Sequence, residues 1–121
     1  MRFRTFSAAN LARCISPDGF NHALESWSLS DWITATFGEL GEAANLVKKL
    51  NRVRDGMPGN GAETEASLRA KLADELADTF IYLDLLAQAA NVDLEDAVIR
   101  KFNRSSENIG YPLRLKAETV S

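Results

Sequence analysis

Two stretches, residues 31–54 and 65–90, repeat apolar side chains at steps of three and four, and a segment rich in glycine, Asp55 to Gly61, parts them. Only a period near 3.6 puts such residues on one face, so most of the chain is committed to α-helix. In the first stretch Ile33, Phe37, Leu40, Ala44 and Val47 form one stripe. Trp32, Ala43, Leu46 and Leu50 widen it on one side, with Thr36 and Glu39 falling among them and Glu42 at the border. The opposite arc collects Thr34, Gly38, Gly41, Asn45, Lys48 and Arg52, so solvent-facing room was available for the acids. In the second stretch Leu68, Leu72, Glu75, Thr79, Tyr82, Leu83 and Leu86 share a face, and Asp78 projects toward the arc of Leu85 and Ala89.

The remaining segments are shorter. Phe6 to Cys14 reads as a first helix ended by the turn Pro17-Asp18-Gly19. Phe20, Leu24 and Trp27 recur at i, i+4 and i+7 and suggest an amphipathic turn or two. Ser28-x-x-Asp31 has capping-box spacing and starts the first long helix. Asp93 is a suitable N-cap for a last helix through Val98, Ile99 and Phe102, and the rest, with Gly110 and Pro112, reads as an irregular tail. No run shows the β-branched alternation of a strand. At 121 residues the expected architecture is one all-α domain, 1–121, with its core over about 20–112. It is an antiparallel helical bundle of two long helices plus shorter N- and C-terminal ones.

Composition narrows the function. A net charge of -3 and a pI near 5.1 supply no positive field for a nucleic-acid polymer. No apolar run is long enough for a signal peptide or a membrane span, so a cytoplasmic protein is expected. Cys14 stands alone and reads as a small buried residue. His22 is the one histidine, which excludes a centre built on several imidazoles.

What remains is a set of acids, Glu39-x-x-Glu42 and Glu75-x-x-Asp78, on faces that should be buried. Residues i and i+3 lie side by side on a helix. Single surface acids are ordinarily solvated, but carboxylates gathered in a low-dielectric groove repel one another and lose hydration unless a cation offsets both effects. Oxygen ligands without histidine or thiolate suit Mg²⁺, or Mn²⁺ or Ca²⁺. Mg²⁺ keeps positions open for phosphate oxygens, and Lys48, Lys49, Arg52 and Arg54 follow the first acid pair by two to three turns. Arg100, Lys101 and Arg104 lie on the last helix. For Arg54 and Arg100 favourable charge near a helix C-terminus and ordinary solubility are the preferred reading.

At Gly38-Glu-Leu-Gly-Glu-Ala and Asp74-Glu-Leu-Ala-Asp-Thr-Phe-Ile-Tyr-Leu the chain resembles the MazG-like all-α nucleoside triphosphate pyrophosphohydrolases, whose motif is E-x-x-E followed by E-x-x-D. The likeness continues through Val92-Asp-Leu-Glu-Asp-Ala-Val-Ile-Arg-Lys-Phe-Asn103 to Tyr111-Pro112, similar there to the dCTP pyrophosphatase branch. The resemblance implies Glu39, Glu42, Glu75 and Asp78 as Mg²⁺ ligands, attack of water on the α-phosphorus, and release of a monophosphate and pyrophosphate. It implies Lys101 as a phosphate-binding residue, with Asn103, Lys49, Trp32 and Tyr111 as further substrate contacts. Trp32 stands between base stacking and core packing, as do Trp27, Phe37 and His22. The family forms homodimers or homotetramers. The chain departs from the branch in a longer Lys101 to Tyr111 interval, in Ser105 where an asparagine is expected, and in a long Ala43 to Asp74 segment that either lengthens the helices or forms a flap over the substrate. Two other readings stay open: a phosphoribosyl-ATP-type pyrophosphohydrolase, and a non-catalytic helical oligomer that binds metal or nucleotide.

Overall fold

A computed structural model describes residues 1–57, 59, 61 and 63–118. The helices are α1 (Phe3–Ile15), α2 (Leu29–Arg54), α3 (Glu65–Ala89) and α4 (Leu94–Ile109), with a short 3-10 turn at Leu24–Ser26. No strand occurs among the described residues. The expected loop between α2 and α3, read as a possible flap, contains Pro58, Asn60 and Ala62, and these lie outside the described residues, as does the end of the tail, 119–121.

The helix boundaries have local causes. Ser28 caps α2 reciprocally: its Oγ accepts from the Asp31 N–H at 3.2 Å, and Asp31 Oδ2 accepts from the Ser28 N–H at 3.0 Å. Thr64 and Ser67 do the same for α3, each hydroxyl accepting from the other's backbone N–H at 3.1 Å. Asp93 accepts from the Asp96 N–H to open α4. That helix runs on through Ile109, further than its apolar residues indicate, and stops at Gly110, whose φ of 72° a β-carbon would disfavour. Helix α1 is also longer than its reading, and the expected turns around Phe20 reduce to the 3-10 turn.

The chain divides into two compact units, Ser28–Leu83, and Met1–Trp27 with Asp84–Ser121. In the first unit α2 and α3 run antiparallel. Trp32 of α2 lies against Tyr82, with ring centroids 6.4 Å apart, whereas Lys49, nearer the end of α2, meets Glu63 just before α3. The buried line of α2 is Trp32, Thr36, Glu39, Ala43, Leu46 and Leu50, each buried or half-buried. This corrects the centre of the apolar stripe. Ile33, Phe37, Leu40 and Val47 are exposed, Phe37 to 65%, because α3 covers the flank of the stripe instead. On α3 the buried line is Leu68, Leu72, Glu75, Thr79, Tyr82 and Leu86, as the periodicity indicates, except that Leu83, expected on the same face, is exposed.

In the second unit a buried carboxylate replaces an apolar core contact. Asp84, 1% exposed, accepts from Ser7 Oγ at 2.8 Å, Asn10 Nδ2 at 3.0 Å and Gln88 Nε2 at 3.0 Å. Gln88 also donates to the Ser7 carbonyl. These bonds tie α1 to the C-terminal end of α3, and Arg4 adds ion pairs to Asp93 and Glu95. After α1 the chain folds back tightly, with Phe20 N–H donating to the Arg13 carbonyl and His22 N–H to that of Cys14. A β-carbon on Gly19 would come within 2.1 Å of the Arg13 carbonyl oxygen, so that position demands glycine. The tail is held by Asn103, whose amide donates to the Leu115 carbonyl and accepts from the Leu115 N–H.

Replacing Asp84 with alanine removes the shared acceptor of Ser7, Asn10 and Gln88 and is expected to cost at least about 2 kcal/mol. Urea unfolding measures it. A loss below about 0.5 kcal/mol would show that this cluster does not tie α1 to α3.

Candidate metal and phosphate site

Helix geometry places the acids. Glu39 and Glu75 occupy central positions of the two buried lines that face each other in the unit Ser28–Leu83, and Glu42 and Asp78 follow one turn on. One carboxylate oxygen each from Glu39, Glu75 and Asp78 lies within 4.8 Å of the others. Glu39 and Glu75 are half-buried, while Asp78 and Glu42 are exposed. Threonines on the same lines satisfy themselves locally, Thr36 donating to the Trp32 carbonyl and Thr79 to that of Glu75. The acids lack that recourse. Glu75 Oε2 is buried and has no hydrogen-bond partner among the described residues.

The electrostatics follow from this crowding. Glu42 has its pKa raised, first by a hydrogen-bonding contact with Glu75, then by that group's charge and by burial. Glu75 is raised chiefly by its hydrogen-bonding contact with Glu39. The contact with Glu42 acts in the opposite sense, and burial adds to the rise. Two carboxylates in contact thus hold a proton beyond the ordinary carboxylate range. A divalent cation placed there would do the same, since it would offset the charge of the acids and give the Glu75 oxygen a partner. The donor set is entirely carboxylate, which fits Mg²⁺ or Mn²⁺.

Beside the acids a cavity of about 470 Å³ is lined by Gly38, Gly41, Glu42, Asn45, Lys71 and Glu75, among others. Glycine inside a helix costs about 1 kcal/mol relative to alanine, and a β-carbon at Gly38 or Gly41 would meet nothing within 4 Å. Their effect is to leave the cavity open next to Glu39 and Glu42. Lys71 was not singled out by sequence, although it stands one turn before Glu75 on α3 and that spacing marks it.

The other expected residues are distributed unevenly. Lys49 belongs to the same unit as the acids and pairs with Glu63 at 3.2 Å. Trp32 is 2% exposed and packs on Tyr82, which corrects the stacking reading for that residue: no face of its ring is open to a base. Phe37 is exposed. Lys101, Asn103 and Tyr111 lie in the other unit. Lys101 is exposed on α4, Tyr111 is half-exposed, and the Asn103 amide is engaged with Leu115 at both ends. His22 hydrogen-bonds Ser26 through Nδ1 and sets its ring edge-on to Trp27 at 4.6 Å. Cys14 is buried, as expected, and burial raises its thiol pKa. Arg54 pairs with Asp55 and Arg100 with Asp96.

Comparison with known proteins finds dCTP pyrophosphatase 1 of Rattus norvegicus and of Mus musculus, each 39% identical to this chain over 83 residues, or 69% of its length. The chain belongs to the MazG-like nucleotide pyrophosphatase family. The matched segment spans 45% of each of these relatives, so the chain corresponds to about half of them. No family model and no solved structure matches it. The all-α MazG-like assignment agrees with the helices described above.

Because the Glu42 and Glu75 pKa values are raised, the folded state holds protons that the unfolded state has released. Their contribution to stability is therefore present below the unfolded carboxylate pKa and lost as pH rises through the folded values. The thermal shift produced by Mg²⁺ should accordingly grow from acid to neutral pH, and Glu75→Gln should abolish most of it. A shift independent of pH, or intact in Glu75→Gln, contradicts this assignment.

Proposed function

We propose that this chain is a Mg²⁺-dependent nucleoside triphosphate pyrophosphohydrolase, releasing a monophosphate and pyrophosphate. The observation that carries the reading is the convergence of Glu39, Glu75 and Asp78 oxygens within 4.8 Å, with Glu75 Oε2 buried and without a hydrogen-bond partner among the described residues. The likeness to two dCTP pyrophosphatases supports it and makes dCTP the first substrate to try. Bound at the acids, a divalent ion supplies charge neutralisation on phosphate oxygens and a lower pKa for water. Glu39, Glu75 and Asp78 would hold and orient that ion. Glu42, exposed toward the cavity, completes the set and accepts a hydrogen bond from the attacking water. The water oxygen bonds to the α-phosphorus, the bond to the pyrophosphate oxygen breaks, and a carboxylate of the cluster takes the proton.

No side-chain nucleophile is needed, and the cavity beside Glu42 and Glu75 offers room for the phosphate chain. Lys49, Lys101, Asn103 and Tyr111 remain the proposed substrate contacts. For Asn103 this requires the amide to exchange its bonds to Leu115 for the ligand. The exposed row Ile33, Phe37, Leu40 and Val47 is larger than isolated surface apolar residues ordinarily make and supports a homo-oligomer. No described helix is long and apolar enough to cross a membrane, and the proposed substrate pool is cytoplasmic. A role in clearing unwanted nucleotides follows from the same chemistry.

Glu39→Gln and Asp78→Asn each remove a charge from the cluster and should lower kcat/KM for pyrophosphate release by about 100-fold or more. Pyrophosphate and single phosphate are assayed separately over a panel of nucleoside triphosphates. Unchanged hydrolysis in both variants, or release of single phosphate alone, contradicts the proposed reaction.

A further inference from the structure

One carboxylate outside the acid cluster is placed against two lysines. Glu63 Oε1 lies 3.2 Å from Lys49 Nζ on α2, and Glu63 Oε2 lies 3.6 Å from Lys71 Nζ on α3. Glu63 precedes α3, which begins at Glu65, so its side chain can turn away without unwinding a helical turn. All three side chains are partly exposed, and ion pairs of that kind contribute little to stability. They are cheap to break.

The positions of the lysines repeat those of the acids. Lys49 follows Glu42 by seven residues and Lys71 precedes Glu75 by four, spacings that return to nearly the same helix face. Because α2 and α3 are antiparallel, both lysines lie on the same side of the acids, about 6–10 Å along the helix axes. Lys71 also lines the cavity into which Glu42 and Glu75 open. A ligand anion extending from the acids along this cavity meets the Lys71 ammonium, and the one carboxylate that engages Lys71 engages Lys49 as well.

We propose that Lys49 and Lys71 form a subsite for the terminal phosphate of a polyphosphate chain, and that Glu63 fills this subsite as an internal stand-in until the ligand displaces it. The inference rests on the phosphate-handling reading of the acid cluster and adds to it a competitor built into the chain. A terminal phosphate carries more negative charge than a carboxylate and offers more acceptor oxygens. It therefore replaces Glu63 with a net electrostatic gain, while the displaced carboxylate turns to solvent.

The test uses inorganic tripolyphosphate with Mg²⁺ as the probe, measured by calorimetry on the full chain, so that neither a base nor hydrolysis enters the result. Glu63→Gln should bind it about 3- to 5-fold more tightly than the unmodified protein. Adding Lys71→Met to Glu63→Gln should erase the gain. If Glu63→Gln lowers the melting temperature, Glu63→Asp provides the check, since a shorter carboxylate reaches the two lysines less well and should also tighten binding. Equal or weaker binding by both Glu63 variants overturns the proposal, as does a gain that survives loss of Lys71. Failure of the enzymatic reading gives a different pattern, in which no nucleoside triphosphate yields pyrophosphate whatever the Glu63 variants do with tripolyphosphate.

Discussion

The mutual repulsion of Glu39, Glu42, Glu75 and Asp78 is the constraint on which the unit Ser28–Leu83 depends. Both long helices bury a line of side chains against each other, and each line is interrupted by a glutamate at its centre. Apolar residues there would stabilise the pair without qualification. Acids make it depend on a proton or a cation to offset their charge. Glycines at 38 and 41 weaken α2 further in the same place and leave space beside the acids. Local stability is given up in both ways at one station of the helix pair, a concentration that points to ligand chemistry rather than to imperfect packing.

Asp84 shows that burial of a carboxylate does not by itself identify such a site. It is more deeply buried than Glu39 or Glu75, yet three neutral donors surround it. Hydrogen bonds to both oxygens satisfy the group where it stands and fix α1 to the C-terminal end of α3. Glu75 differs in what it lacks. Its Oε2 is buried without a donor among the described residues, and its neighbours include other acids. The difference between a structural carboxylate and a ligand-seeking one lies in the partners.

Much of this was legible from spacing. Steps of three and four located both long helices, Ser28 and Asp93 marked two starts, and the acids stood out because polar arcs nearby went unused. The face of α2 that is buried was less legible. Periodicity defined an apolar arc wider than one neighbour can cover, and nothing in the residues 33, 37, 40 and 47 says that α3 takes the flank of 32, 39, 43 and 46. The extent of α4 escaped because residues 103–108 carry no apolar repeat, while its cap and Gly110 hold them helical. The Asp84 cluster depended on partners 74 to 77 residues away, which no local pattern reveals. Trp32 was ambiguous for the reason aromatic residues always are: the same ring serves a core or a base, and only its surroundings decide.

The central claim is that the converging carboxylates of the two helices hold a divalent cation. Titrating the protein with Mn²⁺ and following free ion by electron paramagnetic resonance tests it most directly, because it counts bound ions without reference to any substrate. At least one Mn²⁺ per chain should bind at neutral pH and be displaced by Mg²⁺, and the double variant Glu39→Gln/Glu75→Gln should bind none with comparable affinity. Equal binding by the double variant, or no binding by the unmodified chain, would contradict the account.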